Sequence, residues 1–299
     1  MRTFAYTNKG GEPRVGVIYE KQRLDFTRVW QIFKEIRNSP RTPDYFFIQI
    51  MIEMKNFSQS VLAEVIEEVK DFRGLDDLVI RGEITYDTPI QRPSKILCMA
   101  RNYKKHAEEF DHDLPDKPTF FAKLPSALLP HESTIRLPSD IGRVDHEVEL
   151  AVVIGKGASK VEKSQVMDII AGYTIANDIS ARAMQKDAAA NGEPWTLCKG
   201  MDTFLPIGPY LIPADAVADP HNLDIELTVN DESKQRSNTK NMIFDIPDMI
   251  SYMSRFITLE PGDIICTGTP EGVSPIQAGD LVQAKIEGMG VLRNHVVQV

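Results

Sequence analysis

Three cysteines, two tryptophans and six histidines are all that 299 residues offer for redox, large-aromatic or soft-metal chemistry. Cys98, Cys198 and Cys266 lie far apart with no C-x-x-C spacing. This excludes a disulfide framework or thiolate zinc site and fits buried thiols in a reducing compartment. Positive charge is also in short supply: 34 Lys and Arg stand against 43 Asp and Glu, and the net charge of −9 is the wrong sign for a general nucleic-acid binder. The longest apolar-looking run, residues 45–52, is broken by Gln49 and is too short to span a bilayer. The opening MRTFAYTNKGGEPR lacks the apolar stretch of a secretory signal. These absences leave a cytoplasmic address and a small-molecule partner as the expectation, with no membrane or nucleic acid involved. There is no G-x-G-x-x-G or P-loop pattern and no repeat of 20–50 residues, so dinucleotide folds and solenoids are set aside.

What remains is an ordinary folded composition, 42% hydrophobic and 26% charged, long enough for one large domain or a large and a small one. Residues 1–91 read as a small α/β module. TFAYT and VGVIY form a strand pair around the NKGGEP turn, and Val29, Trp30, Phe33 and Ile36 make a helical stripe after Thr27. Thr42-Pro43 is the expected start of a further helix, and Ser60 precedes a third, carrying Leu62, Val65, Ile66 and Val69 and ending near Asp71. Gln91-Arg92-Pro93 marks the junction. Across residues 92–299 short β-like runs such as KILCMA, VELAVVIG, GYTIAND and LDIELTVN alternate with Gly and Pro turns, with helices expected chiefly at 164–170 and 247–257. The fold class expected is α+β and β-rich.

Within VDHEVELAVVIGK, alternation places Val148, Leu150, Val152 and Ile154 on one strand face, and Glu147, Glu149, Ala151 and Val153 on the other. Two glutamates thus begin an apolar face, roughly 6.5–7 Å apart along the backbone. Like charges there are costly unless something positive lies between them. Asp178 ends the next strand-like run, where loops hold ligands. Three hard oxygen ligands favour Mg2+, with Mn2+ or Ca2+ as alternatives. A solvated strand end, or ion pairs to Arg143 and Arg182, would explain the same acids without a metal. His146 projects to the opposite face and is left out of the ligand set.

His106 and Glu109 share a face if their segment is helical, and a carboxylate-held imidazole is a usable general base. A solvated surface pair is the plain alternative. Lys123 interrupts an apolar run, FFAKLPSALL. Gln185 and Lys199 are candidates to hold an oxyanion or carboxylate, and Trp195 in the loop ANGEPW is either an apolar wall or a core anchor. Thr267, Gly268, Thr269 and Gly272 form a small-residue turn that either offers N–H and hydroxyl groups to a carboxylate or is a tight strand exit.

Six segments in this order, RNYKKHAEEF, FFAKLPSALL, DHEVELAVVIGK, GYTIANDISAR, PWTLCKGMDTFLPIGP and GDIICTGTPEGV, resemble the fumarylacetoacetate hydrolase family across residues 92–299. The resemblance implies a roll-like mixed β catalytic domain, commonly a homodimer, behind a variable N-terminal module. It implies Glu147, Glu149 and Asp178 as Mg2+ or Mn2+ ligands, and His106 with Glu109 as the water-activating dyad of the shorter acylpyruvase and oxaloacetate-decarboxylase-like members. Gln185, Lys199 and Thr269 match positions that contact substrate, Lys123 matches a lysine near the pocket, and Arg101 joins the substrate-binding set. The activity implied is cleavage of the C–C bond next to a 2-oxo acid, an acylpyruvate or fumarylpyruvate, through a pyruvate enolate. Lys199 would stabilise that enolate and, with Gln185, the C4 oxyanion. Oxaloacetate decarboxylation, isomerisation of a hydroxyheptadienedioate and non-catalytic metabolite binding are the alternatives. Two departures fall near the pocket: Ala100 and Arg101 where many members have Gly before the Asn-Tyr pair, and Ala183 where many have an acid after Ser-Ala-Arg.

Overall fold

The computed structural model describes residues 1–39, 41–109 and 114–299. Among these, eleven strands form one sheet whose main path runs Gln22–Asp25, Pro13–Tyr19, Arg2–Thr7, Leu205–Pro213, Ile170–Asn177, Val148–Ile154, Ile264–Cys266, Ile96–Ala100 and Thr119–Lys123. A second sheet of five strands runs Glu232–Asn238, Asp224–Val229, Leu281–Ile286, Gly290–Gln298 and Thr134–Leu137. The fold is α+β and β-rich.

The strand Val148–Ile154 lies near the middle of the large sheet and is buried along its whole length. Its two faces enter different cores, as alternation requires. Val148, Leu150, Val152 and Ile154 pack with Ile225, Leu227 and Val282 of the second sheet. Ala151 and Val153 belong to the core that also holds Val29, Leu62 and Val65 of the N-terminal helices. Burial on both sides explains why VELAVVI reads as a nearly continuous apolar run.

The expected N-terminal hairpin forms, Arg2–Thr7 against Pro13–Tyr19, and its first strand joins the large sheet at Thr3 opposite Leu211. The helix starts differ from the expectation for local reasons. Asp25, not Thr27, caps the helix Phe26–Ile36; the Thr27 hydroxyl instead accepts from Val15 N–H and donates to the Tyr45 carbonyl. Ser58, two residues before the expected Ser60, accepts from Val61 N–H and starts the helix Gln59–Arg73, which runs two residues past Asp71. Thr42-Pro43 opens no helix: Trp30 Nε1–H donates to the Pro43 carbonyl at 3.0 Å, and the short helix Ile48–Glu53 begins only after Phe47. The 164–170 segment is a 3-10 stretch, Lys163–Ile169, with Val166 and Ile169 buried at its three-residue period. The later helix is Ile246–Ser254, capped by Asp245. Two helices fall where the sequence showed mostly loop, Arg182–Asn191 and Thr196–Gly200. The first buries only Ala188 among its ten residues, so it carries no apolar stripe to read.

Candidate active site

The strand exits of the large sheet bring the three acids together. Asn177 Oδ1 accepts from the Glu147 N–H at 2.9 Å, and the Asp178 N–H donates to the Glu147 carbonyl at 2.8 Å. Two backbone segments thirty residues apart are thus locked edge to edge, and oxygens of Glu147, Glu149 and Asp178 lie within 4.8 Å of one another, all three side chains buried. Glu149 accepts from the Gly268 N–H at 2.7 Å. Gly268 needs its missing side chain: its φ is 94°, and a Cβ would sit 2.8 Å from Asn102 Cβ.

Positive groups surround the cluster. Lys199 Nζ donates to Asp178 at 2.8 Å and to Glu147 at 3.0 Å. Lys123 Nζ stands 2.7 Å from Asp178 Oδ1, but its hydrogen bonds go to the carbonyls of Ile179 and Lys199, and that carboxylate oxygen accepts none. Arg182 bonds Glu147 and, at 2.8 Å, Asp145, so the ion pairing expected as an alternative to a metal is present at Glu147. The two glutamates are pushed apart electrostatically. Burial works to raise the Glu147 pKa, but Lys199 and Arg182 outweigh it and hold the carboxyl well below the usual range. Burial, reinforced by Cys266, Asp178 and Glu147, lifts Glu149 well above it. Lys199 stays a cation because Asp178 and Glu147 overcome the effect of burial. The donor set fits a hard divalent ion: three convergent carboxylates, one oxygen with no hydrogen bond, and one glutamate whose charge the protein's own cations do not stabilise.

Above this floor opens a cavity of about 780 Å3. Its lining includes Glu147, Lys199, His106, Gln185 and Arg101 among the residues singled out in the sequence. His106 sits on the helix Lys104–Glu109, with Nδ1 3.3 Å from Glu109, whose carboxylate also accepts from the Gly272 N–H at 3.3 Å. Trp195 forms an apolar wall, edge to face with Phe121 at 5.6 Å. Ala100 and Ala183, the two departures, both line the cavity. Glu149, Asp178 and Lys123 lie beneath the lining. Thr269 lies off it: its hydroxyl donates to the Val148 carbonyl and accepts from Gln235, both at 2.8 Å, and helps tie the acid strand down. The 267–272 turn offers its N–H groups to the protein's own Glu149 and Glu109. His146 stays outside the cluster, its ring held by Gln235 at 3.0 Å and Ser274 at 2.8 Å.

Sequence reasoning passed over Asn177, Asp145, Gln235 and Lys186. Gln235 is fully buried and takes the Val148 N–H at 3.0 Å from the facing sheet. In ESKQRSN it reads as one more polar residue of a hairpin. Asn177 adjoins Asp178, and a polar residue inside a buried run was the available signal.

A buried acid cluster thus lies beneath a cavity that presents a histidine–carboxylate pair. The fumarylacetoacetate (FAA) hydrolase C-terminal profile matches residues 95–297, and the chain belongs to that family. Oxaloacetate tautomerase Fahd2a, mitochondrial, of Rattus norvegicus is 43% identical over 227 residues, 74% of this chain and 72% of its own. Among solved structures, fumarylacetoacetate hydrolase from psychrophilic Exiguobacterium antarcticum superposes with a TM-score of 0.81 at 28% identity, covering all of both chains. Maleylpyruvate hydrolase from Sphingobium sp. SYK-6, in complex with manganese(II) and pyruvate, gives 0.76 at 32% identity, covering 100% of this chain and 99% of its own. No described helix is long and apolar enough to cross a membrane.

Proposed function

We propose that this protein catalyses proton transfer at C3 of a small 2-oxo acid, interconverting its keto and enol forms. The observation that carries the reading is that His106, held by Glu109, lines the same cavity as Glu147 and Lys199. Glu147, Glu149 and Asp178 would hold Mg2+ or Mn2+, which when bound supplies Lewis acidity to the 2-oxo oxygen. In the tautomer that donates Nδ1–H to Glu109, His106 Nε2 carries the lone pair that takes a proton from C3. Glu109 then faces an imidazolium and stabilises it until that proton is passed to the 2-oxo oxygen, which completes the enol. The Lys199 ammonium, kept protonated by Asp178 and Glu147, offsets the negative charge that moves onto the 2-oxo oxygen. The relatives named as oxaloacetate tautomerases support this order, which puts proton transfer ahead of the C–C cleavage expected from the sequence.

Hydrolysis of an acylpyruvate is the second reading, and Gln185 favours it. Its Oε1 accepts from Arg182 at 2.6 Å, which leaves the amide NH2 as the end available to a C4 oxyanion in the cavity it lines. There His106 would deprotonate a water. The two readings part in one experiment: C3–H/D exchange into oxaloacetate and an acylpyruvate, followed by NMR with Mg2+ or Mn2+ present, beside assay of cleavage products. Exchange without cleavage is the expected result. His106→Ala should slow exchange about 10^2- to 10^3-fold while the rise in Tm on adding Mg2+ persists. Wild-type protein that exchanges neither substrate would sink the proposal.

A further inference from the structure

The cavity carries more positive charge than its floor uses. Lys199 is spent on Glu147 and Asp178, Arg182 on Asp145 and Glu147, and Arg143 on Asp145 at 2.7 Å. Arg101 differs from all three. It lines the cavity, and its Nε is buried with no hydrogen-bond partner among the described residues. Its backbone sits at φ 55°, a left-handed conformation that a side-chain-bearing residue adopts at a cost. A strained, half-buried residue that lines a cavity with its Nε buried and without a partner among the described residues is poor design for stability alone. The nearby lining does not neutralise it: Ala100 and Ala183 bring no carboxylate, and Lys186 adds a second cation without an ion pair among the described residues. Glu147 is the one acid among the described lining residues, and Lys199 and Arg182 already hold it.

We propose that Arg101 selects dicarboxylic over monocarboxylic 2-oxo acids by holding the carboxylate remote from the 2-oxo group. This rests on the proposed function, in which the 2-oxo oxygen, and with it the adjoining carboxylate, would lie at the metal end of the cavity. A second carboxylate then needs its own counter-charge, and a guanidinium meets it with two parallel N–H donors. Lys186 supports it from the rim as an exposed point charge.

The test uses the full chain with Mg2+ and compares wild type with Arg101→Gln, Arg101→Lys and Arg101→Gly. KM is measured by C3–H/D exchange for oxaloacetate and for 2-oxobutanoate, and Kd for both acids by thermal shift. Arg101→Gln should raise KM and Kd for the dicarboxylate about ten- to a hundredfold, the range for a hydrogen-bonded charge. The values for the monocarboxylate should move far less. Arg101→Lys should fall between, keeping the charge but losing the fork. Arg101→Gly relieves the left-handed backbone, so its Tm should match or exceed wild type while discrimination is lost. Equal losses for both acids, or unchanged preference in a folded Arg101→Gln protein, overturn the proposal. The binding arm keeps it separate from the function: a wild type that turns over neither acid, yet prefers the dicarboxylate through Arg101, sinks the proton-transfer reading and leaves this one standing.

Discussion

Glu149 and Glu109 accept hydrogen bonds from one short turn, Gly268 N–H at 2.7 Å and Gly272 N–H at 3.3 Å, yet they serve differently built halves of the site. Glu149 belongs to the floor, where the large sheet fixes every acid through backbone N–H groups, Asn177 and the lysines, and where exposure is only a few per cent. Glu109 belongs to the rim, on a six-residue helix, with its side chain about a third exposed at 32%. The floor is over-determined by contacts that would persist whatever entered the cavity. Among the described residues the rim shows longer contacts and presents Arg101 and Lys186 without an ion pair. On the proposed function, such a division gives the holding of the metal to the floor, and the positioning of the base and the choice of substrate to the rim.

The hardest blow to the floor is removal of an acid. Asp178→Asn and Glu149→Gln should each abolish the rise in Tm on adding Mg2+ and cut turnover by at least about a thousandfold, because several kcal/mol of charge stabilisation is lost. Glu149→Gln has a second signature, measured in EDTA. A carboxyl whose folded pKa is raised costs stability above its unfolded pKa of about 4.3, and this cost shrinks as pH falls from the folded pKa to the unfolded one. The variant should therefore melt above wild type at pH 8 and lose that advantage toward pH 5. A normal Mg2+ response in either variant would break the comparison, since the acids would then be salt-bridge partners and nothing more.

A paired substitution in the shared turn asks whether the halves are separable. Gly268→Ala and Gly272→Ala both force a side chain onto a backbone of positive φ, 94° and 93°, and should each cost about 1–3 kcal/mol of stability. Gly272→Ala should be worse, since its Cβ would lie 2.1 Å from the Lys234 carbonyl oxygen. Their effects on function should diverge. Gly268→Ala tilts the N–H that anchors Glu149 and weakens Mg2+ binding, read as a smaller Tm shift. Gly272→Ala loosens Glu109 and lowers kcat with the Mg2+ response intact. Identical profiles would show the turn acting as one unit.

The floor was legible in the sequence because it depends on period-two geometry. Once VELAVVI is a strand, Glu149 lies on the face opposite Val148 and Leu150, and Glu147, one residue before the strand, converges with it. The partners of that face were not legible. Gln235 reaches His146 and Val148 across 89 and 87 residues of chain, and Lys123 reaches Ile179 across 56. A buried polar residue that satisfies distant backbone leaves no periodic trace near itself. The helix Arg182–Asn191, which carries Gln185 and Lys186 to the rim, was missed because it buries Ala188 alone and so shows no apolar stripe. Thr269 looked like a ligand contact because a turn of small residues suits either ligand or protein acceptors, and its hydroxyl went to the protein.

The smallest effect concerns how the floor is clamped from behind. His146 is fully buried between Gln235 and Ser274, and burial pushes its pKa below the ordinary value, against the opposing pull of Gln235 and the nearby acids. The unfolded chain thus binds a proton near pH 6.5 that the folded one refuses, so stability is lost as pH falls below about 6.5. One such group can add a slope of at most about 1.4 kcal/mol per pH unit. His146→Asn lowers stability overall, but the informative quantity is the slope of Tm between pH 7.5 and 5.5 in EDTA. In the variant that slope should shift toward stability kept or gained on acidification. The His146 contribution opposes that of Glu149, which gains stability over the same descent, so the two partly cancel in wild type and the double variant with Glu149→Gln should return the slope toward that of wild type. A wild-type slope in His146→Asn would mean that acid enters the floor by another route than this clamp.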